Sequence, residues 1–271
     1  MDLFFIEMEL LNHKIHRLSE QKHWMILIHG AGGSMRSWYK QIDYFKDHFN
    51  LLLLDLRDHG DSQFNEELSQ FELRDLSKDV ITLMDHLQIG KAHFMGVSMG
   101  SMIIQHIEMH APERMRSVIL AGGVFGLSLK IRFLVNSANL LARILPFRYL
   151  YELFAWIILP KKNHAPSRKL FIREAQRIPE KAFLRWLPII SKLNKDIESL
   201  YHRGVKVPYL IVMGDQDHVF LTPAMRFAQK YLNVSIEVIN NCGHLSNLEK
   251  PLDFNKFSLE FLNEQSTSTV Q

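Results

Sequence analysis

Short runs of consecutive apolar residues recur along this 271-residue chain, and segments with helical spacing separate them. The runs lie at residues 24–28, 51–54, 92–97, 118–121 and 209–213, and residues 235–239 are predicted as a further strand that contains a serine and a glutamate. A strand that is apolar throughout is covered on both faces, which is typical of a parallel sheet packed between helices. The alternation predicts an α/β fold, a mostly parallel sheet with helices on both faces.

The N-terminal region has a different pattern. Residues 4–10 and 11–18 alternate apolar with polar side chains, which predicts two half-solvated antiparallel strands. An acid stands where a signal peptide needs bases, and no apolar stretch reaches about 18 residues. The single cysteine, Cys242, excludes an intrachain disulfide, and the net charge is only +3. We therefore expect a cytoplasmic protein that binds no nucleic acid.

The strand–helix alternation stops between residues 125 and 201. Prolines divide this segment into several apolar helices, and residues 127–200 carry fourteen Lys or Arg against five Asp or Glu. We interpret residues 125–201 as a helical lid inserted into a core formed by residues 1–124 and 202–264. The polar residues 265–271 are expected to form a flexible tail.

The sequence Gly96-Val97-Ser98-Met99-Gly100 lies between a predicted buried strand and a predicted helix. A serine on such a sharp turn has its hydroxyl lifted clear of both elements, and small residues on either side relieve crowding. Ser98 is therefore a candidate nucleophile.

A serine hydroxyl needs a base and a group that orients the base. Asp217 and His244 each follow a predicted strand, at the edge of the sheet where Ser98 is also expected. Asp215 is a rival for the acid. Asp217 is preferred because it lies three residues after Gly214 and has cleared the turn, whereas Asp215 is expected to cap or brace that turn.

Four motifs give the chain a resemblance to the α/β-hydrolase family over nearly all of its length except the insertion. They are the loops at residues 29–34, 55–62, 96–100 and 241–251. The resemblance implies a serine hydrolase, similar to esterases and lipases, with Ser98, Asp217 and His244 as a triad. It also implies an oxyanion hole made by the backbone N–H groups of Ala31 and Met99, facing the oxygen that becomes negative during acyl transfer.

Two residues depart from the family pattern. Asp58 replaces a glycine in the loop usually written D-x-R-G-x-G-x-S, and Asp tolerates a left-handed backbone better than most residues. Ser101 replaces a frequent second glycine after the serine turn, and we expect it to alter how the helix packs on its strand.

Other candidates have structural interpretations. Cys242 is expected to be a small packed residue, and His29 to hold its loop by side-chain hydrogen bonds. His218 immediately follows the acid and is a poorer base than His244. His106 and His110 are interpreted as solvated helical histidines, because no metal-binding motif surrounds them. No pattern implies a cofactor or a metal.

The sequence thus predicts hydrolysis of a small carboxylic ester through an acyl-enzyme, with an apolar acyl group under the lid. Thioesterase, lactonase, C–C bond hydrolase and acyltransferase activities use overlapping motifs and stay open, as does a ligand-binding protein without turnover. The basic insertion further suggests weak association with an anionic membrane surface. The oligomeric state is not predicted.

Overall fold

A computed structural model of the chain describes residues 10–62, 71–126, 147–179 and 204–267, together with residues 182, 185, 186, 189, 192, 195 and 197–199. Seven strands in these residues form one sheet, in the order β1-β3-β2-β4-β5-β6-β7. Among the strands of this described sheet, only β1 and β3 pair antiparallel. The strands are β1 (His13–His16), β2 (Trp24–Ile28), β3 (Asn50–Leu54), β4 (Ala92–Val97), β5 (Met115–Ala121), β6 (Tyr209–Gly214) and β7 (Val234–Ile239).

The predicted buried strands are confirmed. Strands β3, β4 and β6 are buried at every residue, because helices cover the sheet on both faces. Strand β4 lies at the centre of the sheet between β2 and β5, and it leads directly to Ser98. The antiparallel strand expected within residues 11–18 is β1, whereas the strand expected at residues 4–10 falls, except for its last residue, outside the described residues.

Eight α-helices are described. They are α1 (Tyr39–Phe45), α2 (Leu73–His86), α3 (Met99–His110), α4 (Phe147–Ile158), α5 (Ala165–Ala175), α6 (Leu221–Lys230), α7 (Ser246–Glu249) and α8 (Pro251–Thr267), among the residues that the structure covers. Helix α3 packs on α2 and the central strands, whereas α8 packs on α1, β5 and β6. None of the described helices is long and apolar enough to cross a membrane.

The segment between β5 and β6 contributes to the same core as the sheet. Helices α4 and α5 pack against each other, and Ile158, Leu159 and Trp186 belong to the main cluster of buried apolar side chains. Its description as a separate lid therefore stays a prediction. Helix α8 continues to Thr267, so the predicted tail at residues 265–271 begins as helix rather than as a frayed end.

Candidate active site

Ser98 occupies the sharp turn that the sequence predicts. Its backbone has φ 52° and ψ −117°, a left-handed conformation that non-glycine residues rarely adopt. The Ser98 N–H donates to the Ala121 carbonyl at 3.0 Å, which fixes the turn to β5. A Cβ on Gly100 would lie 2.3 Å from the Ile28 carbonyl oxygen, so only glycine lets α3 start this close to β2. The surrounding sheet therefore holds the strained serine in place.

The structure brings Ser98, His244 and Asp217 together. His244 Nε2 lies 2.9 Å from Ser98 Oγ, and His244 Nδ1 lies 2.7 Å from Asp217 Oδ2. His244 and Asp217 are fully buried, and the Phe220 ring lies 4.8 Å from the imidazole. With the proton on Nδ1, Nε2 is left as an acceptor for the serine hydroxyl. This is the hydrogen-bond chain that a serine nucleophile, a general base and an orienting acid require.

Asp217 has further hydrogen bonds that hold it ionised. Its Oδ1 accepts from the Phe220 N–H at 3.0 Å and from the Val219 N–H at 3.2 Å. Burial by itself would raise the pKa of this carboxyl, but the interaction with His244 and the two backbone donors outweigh it and lower the pKa. Asp215 is exposed, and its carboxylate accepts from the Cys242 N–H at 3.1 Å. The structure thus gives Asp215 the bracing position expected of it.

The loop that carries His244 is organised by Glu249, which the sequence analysis did not single out. The Glu249 carboxylate accepts from the Gly243 N–H at 3.0 Å and from the Leu245 N–H at 3.2 Å, one residue on either side of His244. Burial raises the pKa of Glu249. The buried His164, from the segment between β5 and β6, lies 3.8 Å from this carboxylate. Only the position of Glu249 after the histidine could have pointed to it.

Two neutral imidazoles hold the loop that contains Ala31. His29 Nε2 accepts from the Leu56 N–H at 2.9 Å, and His59 Nε2 accepts from the Gly32 N–H at 3.0 Å. Desolvation lowers the pKa of His29 to about 4 and that of His59 to about 3. The expected structural role of His29 agrees with these contacts. Neither the Ala31 N–H nor the Met99 N–H has a hydrogen-bond partner within the described part of the chain, so both are available to a ligand.

Because the pKa values of His29 and His59 are lowered, we predict that the folded protein loses stability in mild acid. Each histidine binds a proton in the unfolded chain below pH 6.5 but stays neutral in the folded protein down to its lowered pKa. Their contribution to stability is intact above pH 6.5 and is lost progressively as the pH falls toward about 4 for His29 and about 3 for His59. At pH 5 the contribution of each histidine to the free energy of unfolding should be about 2 kcal/mol smaller than at pH 7.

Urea unfolding at pH 7 and pH 5 measures this loss. His59→Gln keeps a donor and an acceptor but does not titrate, so its loss between the two pH values should be about 2 kcal/mol smaller than that of the wild type. His86→Gln, at an exposed position, serves as the control. Equal losses in His59→Gln and the wild type would show that His59 is not held neutral.

The structure also explains the two departures from the family pattern. Asp58 adopts the expected left-handed backbone, with φ 62°. Its carboxylate accepts two hydrogen bonds from Arg185. Ser101 is fully buried, and its hydroxyl accepts from the Val124 N–H at 3.0 Å. Each polar side chain therefore makes a contact that glycine could not make.

One histidine interpretation was wrong. His106 is buried, with its Nδ1 2.9 Å from the Ser77 hydroxyl, because α2 covers this face of α3; His110 is exposed. The other interpretations are consistent with the structure. Cys242 is fully buried and burial raises the pKa of its thiol, whereas His218 is exposed.

A small cavity adjoins the serine. Its walls include Ser98, Ala31 and His244 from the core and Leu170, Phe171 and Glu174 from α5. The cavity volume is about 30 Å³, which accommodates only one or two water molecules. Glu174 is the unexpected member, a buried carboxylate whose Oε2 accepts from the Ser34 hydroxyl at 3.0 Å.

A larger cavity, of about 190 Å³, lies at the other end of α3 and contains Glu108 and Tyr209 in its walls. Ten residues of helix separate Glu108 from Ser98, a distance of about 15 Å. Glu108 already accepts from the Lys206 and Val207 N–H groups and from the Tyr209 hydroxyl. Glu108 thus accepts three hydrogen bonds from groups that hold the end of this loop and strand, and the smaller cavity beside Ser98 is the candidate site.

Comparison with known proteins identifies the fold. A family model described as the alpha/beta hydrolase fold matches residues 23–139, which include Ser98. The crystal structure of the enol-lactonase from Burkholderia xenovorans LB400 is similar with a TM-score of 0.78 and 21% identity, covering 93% of this chain and 96% of that chain. The chain has the α/β-hydrolase fold.

Two curated relatives share this α/β-hydrolase region. The 3-oxoadipate enol-lactonase 2 of Acinetobacter baylyi is 28% identical over 261 residues, 85% of each chain. The dihydrolipoyllysine-residue acetyltransferase component of the acetoin cleaving system of Pseudomonas putida is 27% identical over 243 residues. That match covers 88% of this chain but 63% of the relative, so the α/β-hydrolase fold of this chain corresponds to only part of that protein.

Proposed function

We propose that this protein is a serine hydrolase that cleaves a carboxylic ester through an acyl-enzyme. The observation that carries the proposal is the chain of hydrogen bonds from Ser98 through His244 to Asp217, at 2.9 and 2.7 Å. The strained backbone at Ser98 adds support, since such strain clusters at functional sites.

The reaction would proceed in two halves. Ser98 Oγ attacks the ester carbonyl carbon while His244 Nε2 takes the hydroxyl proton and Asp217 stabilises the resulting imidazolium. The carbonyl oxygen becomes negative and accepts from the Ala31 and Met99 N–H groups. The intermediate collapses, and His244 returns the proton to the departing alcohol. Water then attacks the acyl-enzyme with the same base, which releases the carboxylic acid and restores the Ser98 hydroxyl.

Lactone opening is the second candidate, because a relative matched over 85% of this chain is named as an enol-lactonase. A lactone is a cyclic ester, so the same two steps apply with the leaving alcohol tethered to the acyl group. The resemblance to part of an acetyltransferase component keeps acyl transfer as an alternative, in which another acceptor replaces water.

The test compares kcat/KM for p-nitrophenyl butyrate, a five-membered lactone and a thioester of the same acyl chain. Turnover of the linear ester supports the main proposal, and a lactone preference supports the second. A folded protein that turns over none of them would instead fit a ligand-binding protein.

The cavity walls predict a preference for an apolar acyl group. Leu170, Phe171, Leu245 and Leu248 all line the cavity beside Ser98. We propose that the insertion moves as a lid when substrate enters, because the present cavity is too small for an acyl chain. Burying three additional CH2 groups should favour a medium-chain p-nitrophenyl ester over the acetyl ester by about tenfold to a hundredfold in kcat/KM. An acetyl preference would contradict this acyl pocket.

We also propose weak association of the insertion with an anionic membrane surface. Tyr149, Leu153 and Trp156 lie on one face of α4 and are each about half exposed (49%, 47% and 49%). Aromatic side chains at a lipid interface, together with nearby bases, favour anionic head groups. Sedimentation with anionic vesicles at two salt concentrations should show binding that weakens as salt rises. Binding that ignores salt, or that fails to occur, would contradict the proposal.

A further inference from the structure

We infer that Arg185 and Trp186 are positioning residues for the oxyanion loop, defined here as residues 29–34. They act through Asp58 and His59. The geometry of the oxyanion hole therefore depends on the insertion being packed against the core. This inference rests on the proposed function, because it takes the Ala31 N–H as an oxyanion donor.

The first contact is an ion pair between Arg185 and Asp58. Arg185 Nε donates to Asp58 Oδ2 at 3.0 Å, and its terminal NH2 donates to Oδ1 at 2.5 Å. The side chains are only 17% and 4% exposed, so water screens the pair poorly. Two parallel hydrogen bonds from a planar guanidinium fix orientation as well as distance. The pair therefore holds the turn at Asp58 in one position relative to the insertion.

The second contact involves the next residue on each side. Trp186 and His59 pack edge to face. Their ring centroids lie 4.6 Å apart, and the ring planes meet at 82°. Trp186 is 3% exposed, so its indole fills a closed space beside the imidazole. Two consecutive residues of the insertion thus hold two consecutive residues of the core loop.

His59 passes this constraint to the oxyanion loop. Its Nδ1–H donates to the Arg57 carbonyl at 2.8 Å, which leaves Nε2 to accept from the Gly32 N–H at 3.0 Å. The Gly32 nitrogen belongs to the same planar peptide as the Ala31 carbonyl. Fixing Gly32 N therefore fixes the peptide plane next to the proposed oxyanion donor.

Other residues of the insertion press on the same loop. A Cβ on Gly32 would lie 2.4 Å from Tyr151 Cε1, so the tyrosine ring leaves no space above the loop. Gly32 also has φ 75°, a backbone conformation that favours glycine. Two residues further on, the Ser34 hydroxyl donates to Glu174 of the insertion. The insertion therefore contacts the oxyanion loop directly at Gly32 and Ser34. The Arg185–Asp58 pair can be altered without changing the cavity walls, because neither residue lines the cavity.

The experiment uses Asp58→Asn, Arg185→Gln and the double variant. Asparagine tolerates the left-handed backbone as aspartate does, so Asp58→Asn removes the charge and leaves backbone strain unchanged. Lys192→Gln is the matched control. It removes another ion pair between the insertion and the core, with Lys192 Nζ 2.7 Å from Glu72 Oε1, but that pair lies outside the loop at residues 57–59.

Four quantities are measured: kcat and KM for a p-nitrophenyl ester, the affinity for a trifluoromethyl ketone, and the rate of amide exchange in residues 29–34. The ketone forms a tetrahedral oxyanion adduct with a serine and so reports the oxyanion hole. Each single variant should lower kcat about tenfold or more with little change in KM and weaken ketone binding by a similar factor. The double variant should lose no more than the worse single variant. Lys192→Gln should leave both kcat and the affinity for the ketone unchanged.

Amide exchange separates failure of this inference from failure of the proposed function. Exchange in residues 29–34 should accelerate about tenfold in Asp58→Asn and remain at the wild-type rate in Lys192→Gln. The exchange measurement needs no turnover. It therefore tests whether the Arg185–Asp58 contact holds the oxyanion loop even if the protein hydrolyses no ester. Unchanged exchange in both Asp58→Asn and Arg185→Gln would overturn the inference. Faster exchange with unaltered kcat in an active enzyme would overturn it as well, because the loop would then move without affecting the oxyanion.

Discussion

Replacing Ser98 with alanine should lower kcat for a p-nitrophenyl ester by about a millionfold, to the level of residual binding and oxyanion stabilisation. The substitution removes only the hydroxyl group, whose Oγ lies 2.9 Å from the His244 Nε2 that would take its proton. Initial rates at saturating ester, with enough enzyme to detect a small residual rate, measure the change.

Ser101→Ala is the matched control for this prediction. Ser101 lies three residues further along the same turn and helix, is fully buried, and bonds to the Val124 N–H rather than to the triad. Its loss should cost about 1 kcal/mol of stability and leave kcat within about tenfold. Ser98→Ala that keeps a tenth of the wild-type rate would remove Ser98 as the nucleophile.

Replacing Asp217 with asparagine should lower kcat by about ten-thousandfold. An asparagine that donates its amide to His244 would favour the tautomer with the proton on Nε2, and that nitrogen could no longer take the Ser98 proton. Asp215→Asn should stay within about tenfold of the wild type, because Asp215 is exposed and braces only the Cys242 N–H.

The pair of aspartates provides an internal comparison. The two residues lie on one turn after β6, so the same Asp-to-Asn change is made twice in one short segment. Thermal unfolding of both variants shows whether the turn is intact. A larger loss of kcat in Asp215→Asn than in Asp217→Asn would assign the orienting acid to Asp215.

The sheet could be predicted because its signal is local. Strands covered on both faces must be apolar throughout, and the runs at β2 to β6 show this without reference to the rest of the chain. Ser98 and Asp217 could be found from the same signal, since each follows such a strand, whereas His244 follows the more polar strand β7. The order of strands in the sheet brings the three residues together across 146 positions of sequence.

The contacts that hold the site could not be predicted, because they join distant residues. Arg185 and Asp58 are separated by 127 positions, and nothing near either residue indicates the other. His106 was misinterpreted for a related reason. A polar side chain on a helix suggests solvent, but α3 lies beneath α2 and its histidine bonds to Ser77 instead.

The net charge of the insertion is only a coarse guide to its affinity for an anionic surface. The sequence gives the number of bases but not which of them have partners within the protein. Arg185 bonds to Asp58, Lys192 bonds to Glu72, and Arg168 donates to the Leu159 carbonyl and lies over the Trp156 ring. Cations bound in this way contribute less to an external field than the same number of solvated side chains. The salt dependence of vesicle binding should therefore be modest.

Labelling with a fluorophosphonate tests the central claim most directly, because this reagent modifies a serine that an adjacent base has activated. The folded protein is treated with the reagent, digested, and mapped by mass spectrometry, with Ser98→Ala treated in parallel. We predict one modified residue, Ser98, and no modification of the variant. Labelling that persists in Ser98→Ala, or a folded wild-type protein that remains unlabelled, would contradict the assignment of Ser98 as the activated nucleophile.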